Sequence, residues 1–252
     1  MITSCQNAKI KDLIALETKS RERRARGLFV VEGRREYERA CKAGFETVTL
    51  FIREGEADAD RADFTVSAPV YEKIALRDST EGLVAVMRSR TVGLAELKLS
   101  ASPLVLVLES VEKPGNLGAV LRTADAAGAD AVLVCDPLTD LYNPNTIRAS
   151  LGAIFSVPTA ACSSEEACAW LKAHGIAILT AQLQDSKLYY DTDMVRPTAL
   201  VFGTEDKGLS PFWREQADAH IRIPMAGMMD SLNISVSAAI LAFEAVRQRN
   251  AQ

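Results

Sequence analysis

The sequence is poor in the groups that most enzymes use for acid–base and metal chemistry. It has two histidines, His174 and His220, in 252 residues, and neither lies in a motif. A histidine-centred triad needs an imidazole held by a positioned partner, and a histidine-rich metal site needs several, so both are excluded and no metal is expected. The five cysteines (Cys5, Cys41, Cys135, Cys162 and Cys168) form no C-x-x-C pair. A disulfide framework and a structural zinc site are therefore not expected. No apolar run approaches the roughly 20 residues that span a bilayer. Residues 1–20 lack the apolar core of a signal peptide, so the cytoplasm is the expected compartment. Internal repeats and low-complexity segments are also missing.

What is present is an ordinary globular composition, 48% hydrophobic and 25% charged, on a chain long enough for two domains. The net charge of −4 is unevenly spread. Residues 1–100 hold 18 basic against 16 acidic side chains, and the remainder 11 against 17. Lys19 to Arg26 alone carries five positive charges and one negative. Such a run is either a solvated helix face or a contact for polynucleotide phosphate, to which guanidinium groups bind in bidentate fashion. Lys19, Arg21, Arg23, Arg24 and Arg26 are the candidates for the second role.

A boundary near residues 90–102 separates two differently built halves. The first is expected to contain a helix from Lys9 to about Arg26, ended by Gly27, and a strand at Leu28–Val31. A helix at Arg34–Ala43 and a strand at Val48–Ile52 follow. A polar loop over Glu54–Asp63, a short helix at Tyr71–Leu76 and a strand at Gly82–Arg88 complete a small α/β sandwich. In the second half, Leu104–Leu108, Ala131–Cys135, Ile176–Ala181, Ala199–Phe202 and His220–Ile223 read as strands. The first four are almost wholly apolar, as central strands of a parallel sheet are. Helices are expected near 117–127, 145–151, 164–174 and 211–217, with a closing helix from Ile234 to about Arg249.

Three Gly- and polar-rich segments begin where these apolar runs stop. Open α/β sheets bind ligands at such strand ends, so three of them imply one composite pocket. In Asn116-Leu-Gly-Ala-Val-Leu-Arg122, Asn116 is either a helix N-cap or a ligand-holding residue. Arg122 either pairs with Asp125 or Asp130 or faces an anionic oxygen. In Phe202-Gly-Thr-Glu-Asp-Lys-Gly-Leu-Ser210, the two glycines permit close backbone approach, and Glu205 is either a turn residue or a site carboxylate. In Ile223-Pro-Met-Ala-Gly-Met-Met-Asp-Ser-Leu-Asn-Ile-Ser235, Ser231 and Asn233 suit helix capping as well as a pocket. Met225, Met228 and Met229 are either gap fillers or a thioether lining for an adenine ring and a sulfonium methyl.

Taken together, in this order and spacing before a terminal helix, the three segments resemble the motifs of the SpoU (TrmH-like) family. These are RNA ribose 2′-O-methyltransferases of the SPOUT superfamily. The resemblance covers about residues 103–248. The first half resembles, more loosely, the family's ribosomal-protein-like RNA-binding domain, through the basic helix, Gly27–Gly33 and Ser79–Val86. The resemblance implies an α/β fold: a small RNA-binding domain over 1–98, then an α/β-knot methyltransferase domain over 103–252 with a parallel sheet and a deep trefoil knot. It implies S-adenosylmethionine as cofactor, without metal, RNA as substrate, ribosomal rather than transfer RNA, and a homodimer sharing its active site. Gly203, Ile223 and Leu232, with Thr180, Gly208, Met225 and Asn233, would hold the cofactor. Asn116, Arg122, Glu205, Ser231 and Asn233 would surround the reacting ribose. Asp206 stands where relatives commonly have glycine, which leaves the detailed geometry of that loop open. A Gly-rich turn of the Rossmann type is missing after Leu104–Leu108. An RNA-binding protein without methylase activity, and methylation of a base, are the alternatives.

Overall fold

The computed structural model describes residues 1–76 and 81–251, whose contacts divide the chain into two units. The first comprises 1–90 with 140–156, and the second 91–139 with 157–252.

The first unit opens with α1 (Ala8–Thr18) and α2 (Ser20–Arg26), followed by β1 (Leu28–Glu32), α3 (Arg34–Lys42) and β2 (Thr47–Arg53). β3 (Phe64–Val66), α4 (Ala68–Ile74) and β4 (Leu83–Arg88) complete its part within residues 1–90. The sheet runs β1-β4-β2-β3, with β4 antiparallel to both neighbours and β3 parallel to β2. Ile10, Leu13 and Leu16 of α1 pack with Val30, Phe51 and Val84 of the sheet. The short β3 follows the polar loop and has no counterpart in the sequence reading. Of the Ser79–Val86 motif, Ser79 and Thr80 lie outside the described residues, and Leu83–Val86 is in β4.

The single helix expected over Lys9–Arg26 is two helices. Thr18 returns its hydroxyl to the Ile14 carbonyl at 2.7 Å, and Lys19 is extended (φ −118°, ψ 108°). A break leaves the last carbonyls of α1 without helical partners. Arg23 supplies them: its Nη1 donates to Leu16 O at 2.6 Å and Glu17 O at 2.9 Å, while Nε donates to Asp140 at 2.5 Å. The side chain is 4% exposed. Arg23 is therefore a structural arginine, and its assignment to RNA contact is corrected. Lys19, Arg21, Arg24 and Arg26 are exposed.

The second unit is built on β5 (Leu104–Glu109), α5 (Pro114–Ala127) and β6 (Ala131–Cys135). After α6 (Pro144–Ala149) come β7 (Thr159–Cys162), α7 (Ser164–Ala173), β8 (Ala177–Ala181) and the two-residue β9 (Lys187–Leu188). β10 (Thr198–Phe202), α8 (Pro211–Gln216), β11 (Ala219–Arg222) and α9 (Ile234–Asn250) close the chain. Seven parallel strands run in the order β7-β6-β5-β10-β8-β11-β9. β5, β6 and β10 are buried along their whole length, as their apolar runs require. The chain enters β10 between β5 and β8, after β8 has been laid down, and so returns from the flank to the centre. The C-terminal ends of β5, β10 and β11 thereby release the three motif loops on one side of the sheet.

Residues 140–156, α6 among them, group with the first unit although they lie between β6 and β7. An aromatic cluster accounts for this. Tyr142 stacks on Phe29 at 4.5 Å, and Phe155 meets Phe45 at 5.2 Å. Tyr142 also donates its hydroxyl to Arg90 O at 2.8 Å. A continuous stretch over 103–252 does not anticipate this excursion. Among the described residues, no helix is long and apolar enough to cross a membrane, and no group of three His, Cys, Asp or Glu side chains could hold a metal ion.

Candidate functional site

The first motif starts its helix earlier than Asn116. Pro114 takes the opening position of α5, where its fixed φ suits and its missing N–H is no loss, and Lys113 precedes it. Asn116 is therefore not the cap, and its amide is left for other work. It donates Nδ2 to Glu205 Oε1 at 2.8 Å. Asn233 is the cap of α9, accepting from Ser235 N at 2.9 Å. With its oxygen so fixed, its Nδ2 donates to the same Glu205 Oε1 at 2.6 Å and reaches Asn116 Oδ1 at 3.3 Å. Lys113 Nζ donates to the other oxygen, Oε2. Glu205 is thus the hub at which all three motif loops meet.

The charge state of the hub follows from its partners. The Lys113 ammonium and the Asn116 amide hold the Glu205 carboxyl below the usual carboxylate range, against a weaker opposing effect of burial. Glu205 in turn raises the Lys113 ammonium. A carboxylate so stabilised is a weak proton acceptor. Its role is to fix the orientation of two amides and one ammonium at the mouth of a cavity.

Two cavities flank the 203–209 loop and share it. One, of about 450 Å³, is lined by the Glu109–Lys113 turn, Asn116 and the loop itself. The other, of about 530 Å³, reaches from Ala181–Gln184 to Ile223, Met225 and Leu232. Gly203 stands between them. A Cβ there would lie 2.2 Å from the Gly208 carbonyl atoms and 2.4 Å from Leu209 N, so only glycine lets the loop fold back on itself. That folding is held by Thr204 N to Gly208 O at 3.1 Å and the reverse bond at 3.0 Å.

The residues singled out from sequence fall into three groups. Asn116, Glu205 and Asn233 are joined directly. Gly203, Gly208, Ile223, Met225, Ser231, Leu232 and again Asn233 line the larger cavity, with Ser231 exposed and bonded through Oγ to Asp230 at 3.3 Å. Thr180 and Arg122 stand apart. Thr180 is fully buried in β8 and shares a 2.6 Å hydrogen bond with His220 Nδ1, and the cavity wall begins one residue later, at Ala181. Arg122 is exposed on α5, with no hydrogen bond or ion pair to a described residue, and Asp130 is taken by the N–H groups of Ser100 and Leu104. Three residues were missed. Lys113 read only as part of a turn, although it lies three positions before Asn116. Gln182 and Arg214, on the wall of the larger cavity, carry no motif at all.

Met225 and Met229 line that cavity, and Met229 is 70% exposed on the loop before α9. An apolar rim above a polar wall suits a ligand with an aromatic ring and charged ends.

Comparison with known proteins agrees with this geometry. Residues 103–243 match the SpoU rRNA Methylase family, and residues 7–85 match the MRM3-like substrate binding domain. The chain is 30% identical to the 23S rRNA (guanosine(2553)-2′-O)-methyltransferase RlmP of Bacillus subtilis, over 96% of this chain and 97% of that protein. A solved RNA 2′-O ribose methyltransferase is 42% identical, with a TM-score of 0.87 over 99% of both chains. The SpoU methyltransferase AviRb of Streptomyces viridochromogenes, solved in complex with AdoMet, gives a TM-score of 0.88 at 29% identity, over 97% of this chain and 99% of that one. The α/β architecture is that of the SPOUT methyltransferases, and the chain belongs to the SpoU methylase family.

Proposed function

We propose that this protein transfers a methyl group from S-adenosylmethionine to a ribose 2′-hydroxyl of structured RNA, ribosomal rather than transfer RNA, in the cytoplasm. The observation that carries the reading is the meeting of Asn116, Lys113 and Asn233 on Glu205, beside a cavity with an apolar rim. The ribosomal preference is supported by the relatives, named as 23S rRNA enzymes.

The wall of the larger cavity fits the cofactor. Ile223, Met225 and Leu232 offer apolar surface to the adenine, and the backbone of Gly203 and Gly208 is accessible because neither has a side chain. When bound, S-adenosylmethionine supplies an electrophilic methyl on sulfur. The residues of the chain have then to place the hydroxyl oxygen in line with the methyl–sulfur bond and accommodate its proton. Asn116, held by Glu205, orients the ribose, and Lys113 and Arg122 supply positive charge beside the developing alkoxide or the neighbouring phosphate. A guanidinium stays protonated at working pH, so Arg122 acts electrostatically, and the proton leaves to phosphate or water.

Arg122 stands away from the cluster of its own chain, which supports a homodimer with a shared site. On α9, Val236, Ile240 and Phe243 form an apolar stripe opposite the buried Ala238, Leu241 and Ala245, with Val236 and Phe243 46% and 47% exposed. A second copy covering that stripe is the arrangement we propose, with Arg122 serving the site of the partner. Residues 1–98 are assigned to RNA capture through Lys19, Arg21, Arg24 and Arg26, and 103–252 to catalysis.

The test is to incubate the protein with methyl-labelled S-adenosylmethionine and RNA from cells lacking it, with Arg122→Ala in parallel. Label at one alkali-resistant position of ribosomal RNA, lost in the variant, is the expected result. Label on a base, or cofactor binding with no transfer to RNA or precursor particles, would refute the reading.

A further inference from the structure

The larger cavity holds the only two side-chain atoms of the second unit, among its described residues, that are buried without a hydrogen-bond partner. They are Gln182 Oε1 and Arg214 Nε. Polar atoms shut off from water are normally paired, and an orphan on a cavity wall marks where a ligand supplies the missing partner. The two orphans are complementary in kind. Arg214 is a cationic donor. Gln182 is an acceptor whose amide is oriented by its Nε2, which donates to Gln184 O at 2.9 Å.

Three cations line the cavity, and they differ in what they already hold. Arg222 donates through Nη1 to the Ser186 carbonyl and, at 3.3 Å, to its hydroxyl. Lys207 is exposed on the loop. Arg214 alone is both partly buried and without an ion pair or hydrogen bond from its guanidinium to any described residue. It follows Trp213, which is fully buried and donates Nε1 to Ser164 Oγ at 3.1 Å, so α8 is anchored at that point. Its Nη2 lies 3.9 Å from where a Cβ on Gly208 would stand, which puts the guanidinium against the 203–209 loop.

We infer that Arg214 and Gln182 form the subsite for the amino-acid arm of the cofactor, Arg214 binding the α-carboxylate and Gln182 accepting from the α-ammonium. The inference rests on S-adenosylmethionine occupying this cavity. The cofactor has one anionic group, the carboxylate, and one strong donor that cannot accept, the ammonium, and these match the two orphans one for one. Guanidinium and carboxylate pair in bidentate geometry, which gives the arm a direction as well as affinity. Asp206 and Asp230 on the same wall add negative charge for the ammonium.

The experiment compares two ligands on the full chain by titration calorimetry. S-adenosylhomocysteine carries the arm, and 5′-methylthioadenosine has the same adenosine and a thioether but no arm. Arg214→Gln is expected to weaken S-adenosylhomocysteine by about 10- to 100-fold, the range for a hydrogen bond to a charged group, and to leave 5′-methylthioadenosine within about twofold. Arg214→Lys should recover part of the loss, and Gln182→Ala should show the same selectivity at smaller size. Equal losses for both ligands would overturn the assignment by placing Arg214 at the adenosine end or in the fold. Unchanged affinity for both, or a defect confined to RNA binding, would overturn it by removing Arg214 from the cofactor. Failure of the unsubstituted protein to bind either ligand would refute the cofactor reading itself.

Discussion

Arg23 offers the sharpest test of how the basic helix is built, because four neighbours in the same charge run have a different fate. Its guanidinium and the Asp140 carboxylate are 4% and 9% exposed, and two further hydrogen bonds tie it to the end of α1. Replacing one member of a buried pair strands the other, at a cost of about 3–5 kcal/mol. Arg23→Met strands Asp140 and also the carbonyls of Leu16 and Glu17, so the upper part of that range is expected. Asp140→Leu leaves the guanidinium its two carbonyls but removes the acceptor of Tyr142 N, and about 3 kcal/mol is expected. The double variant should cost less than the two singles together by about 2 kcal/mol or more, the interaction energy of contacting residues in one network. Arg21→Ala and Arg24→Ala, on the exposed side, should stay within about 0.5 kcal/mol. Urea denaturation with constant m-values measures all of these. RNA titrations over a range of salt supply the counterpart: Arg21→Ala and Arg24→Ala should each reduce the salt slope by about 1, and Arg23→Met should not. A loss under about 1 kcal/mol for Arg23→Met, or a reduced salt slope in that variant, would show that Arg23 contacts phosphate and refute the reasoning.

Burial, reinforced by the Glu32 carboxylate, pushes the Glu17 carboxyl up to about 8 from 4.5. The folded state therefore keeps a proton that the unfolded chain releases near 4.5, so this group's contribution is full below pH 4.5 and is lost as pH rises through 8. Unfolding free energies from urea denaturation between pH 5 and 7.5 should fall at up to about 1.4 kcal/mol per pH unit and flatten in Glu17→Gln; an unchanged slope in the variant would count against the buried carboxyl. Gly203→Ala forces a Cβ into the Gly208 backbone and should abolish measurable binding of S-adenosylhomocysteine, whereas affinity within twofold would show that the loop opens freely. Glu205→Gln keeps an acceptor for the two asparagines but loses the Lys113 ion pair; single-turnover methylation should slow by roughly 10- to 100-fold with melting unchanged. Arg122→Lys should lower the rate while preserving its dependence on pH, and a pH slope that vanished with the substitution would instead make Arg122 the base.

Much of this protein was legible one residue at a time. Leu104–Leu108, Ala131–Cys135 and Ala199–Phe202 are apolar on both faces, and such runs have few places to go other than the middle of a parallel sheet. The loops after Leu104–Leu108, Ala199–Phe202 and His220–Ile223 carry glycine, asparagine and carboxylate in a spacing that fixes the family. Asn233 was recognisable as a cap because Ser, Thr, Asn and Asp before an apolar period satisfy helix N–H groups by local geometry. The short strands β7 and β9 were not legible. Thr159–Cys162 is only half buried and Lys187–Leu188 has two residues, so neither leaves a pattern long enough to detect.

Other decisions required the chain to be folded. Lys19, Arg21, Arg23, Arg24 and Arg26 are alike in sequence, and only the break at Lys19 turns one of them inward onto the carbonyls that the break exposes. Asn116 reads as a cap until Pro114 takes the helix start and frees its amide for Glu205, 89 residues away. Tyr142 and Phe155 carry their segment to the first unit because their rings find Phe29 and Phe45 there. Gln182 and Arg214 have no motif, since an unpaired buried atom is a property of surroundings and not of spacing. Local patterns of polarity and backbone preference determine the elements and the loops between them. Which polar side chains are satisfied internally and which are left for a ligand depends on contacts far apart in sequence, and those exist only in the tertiary structure.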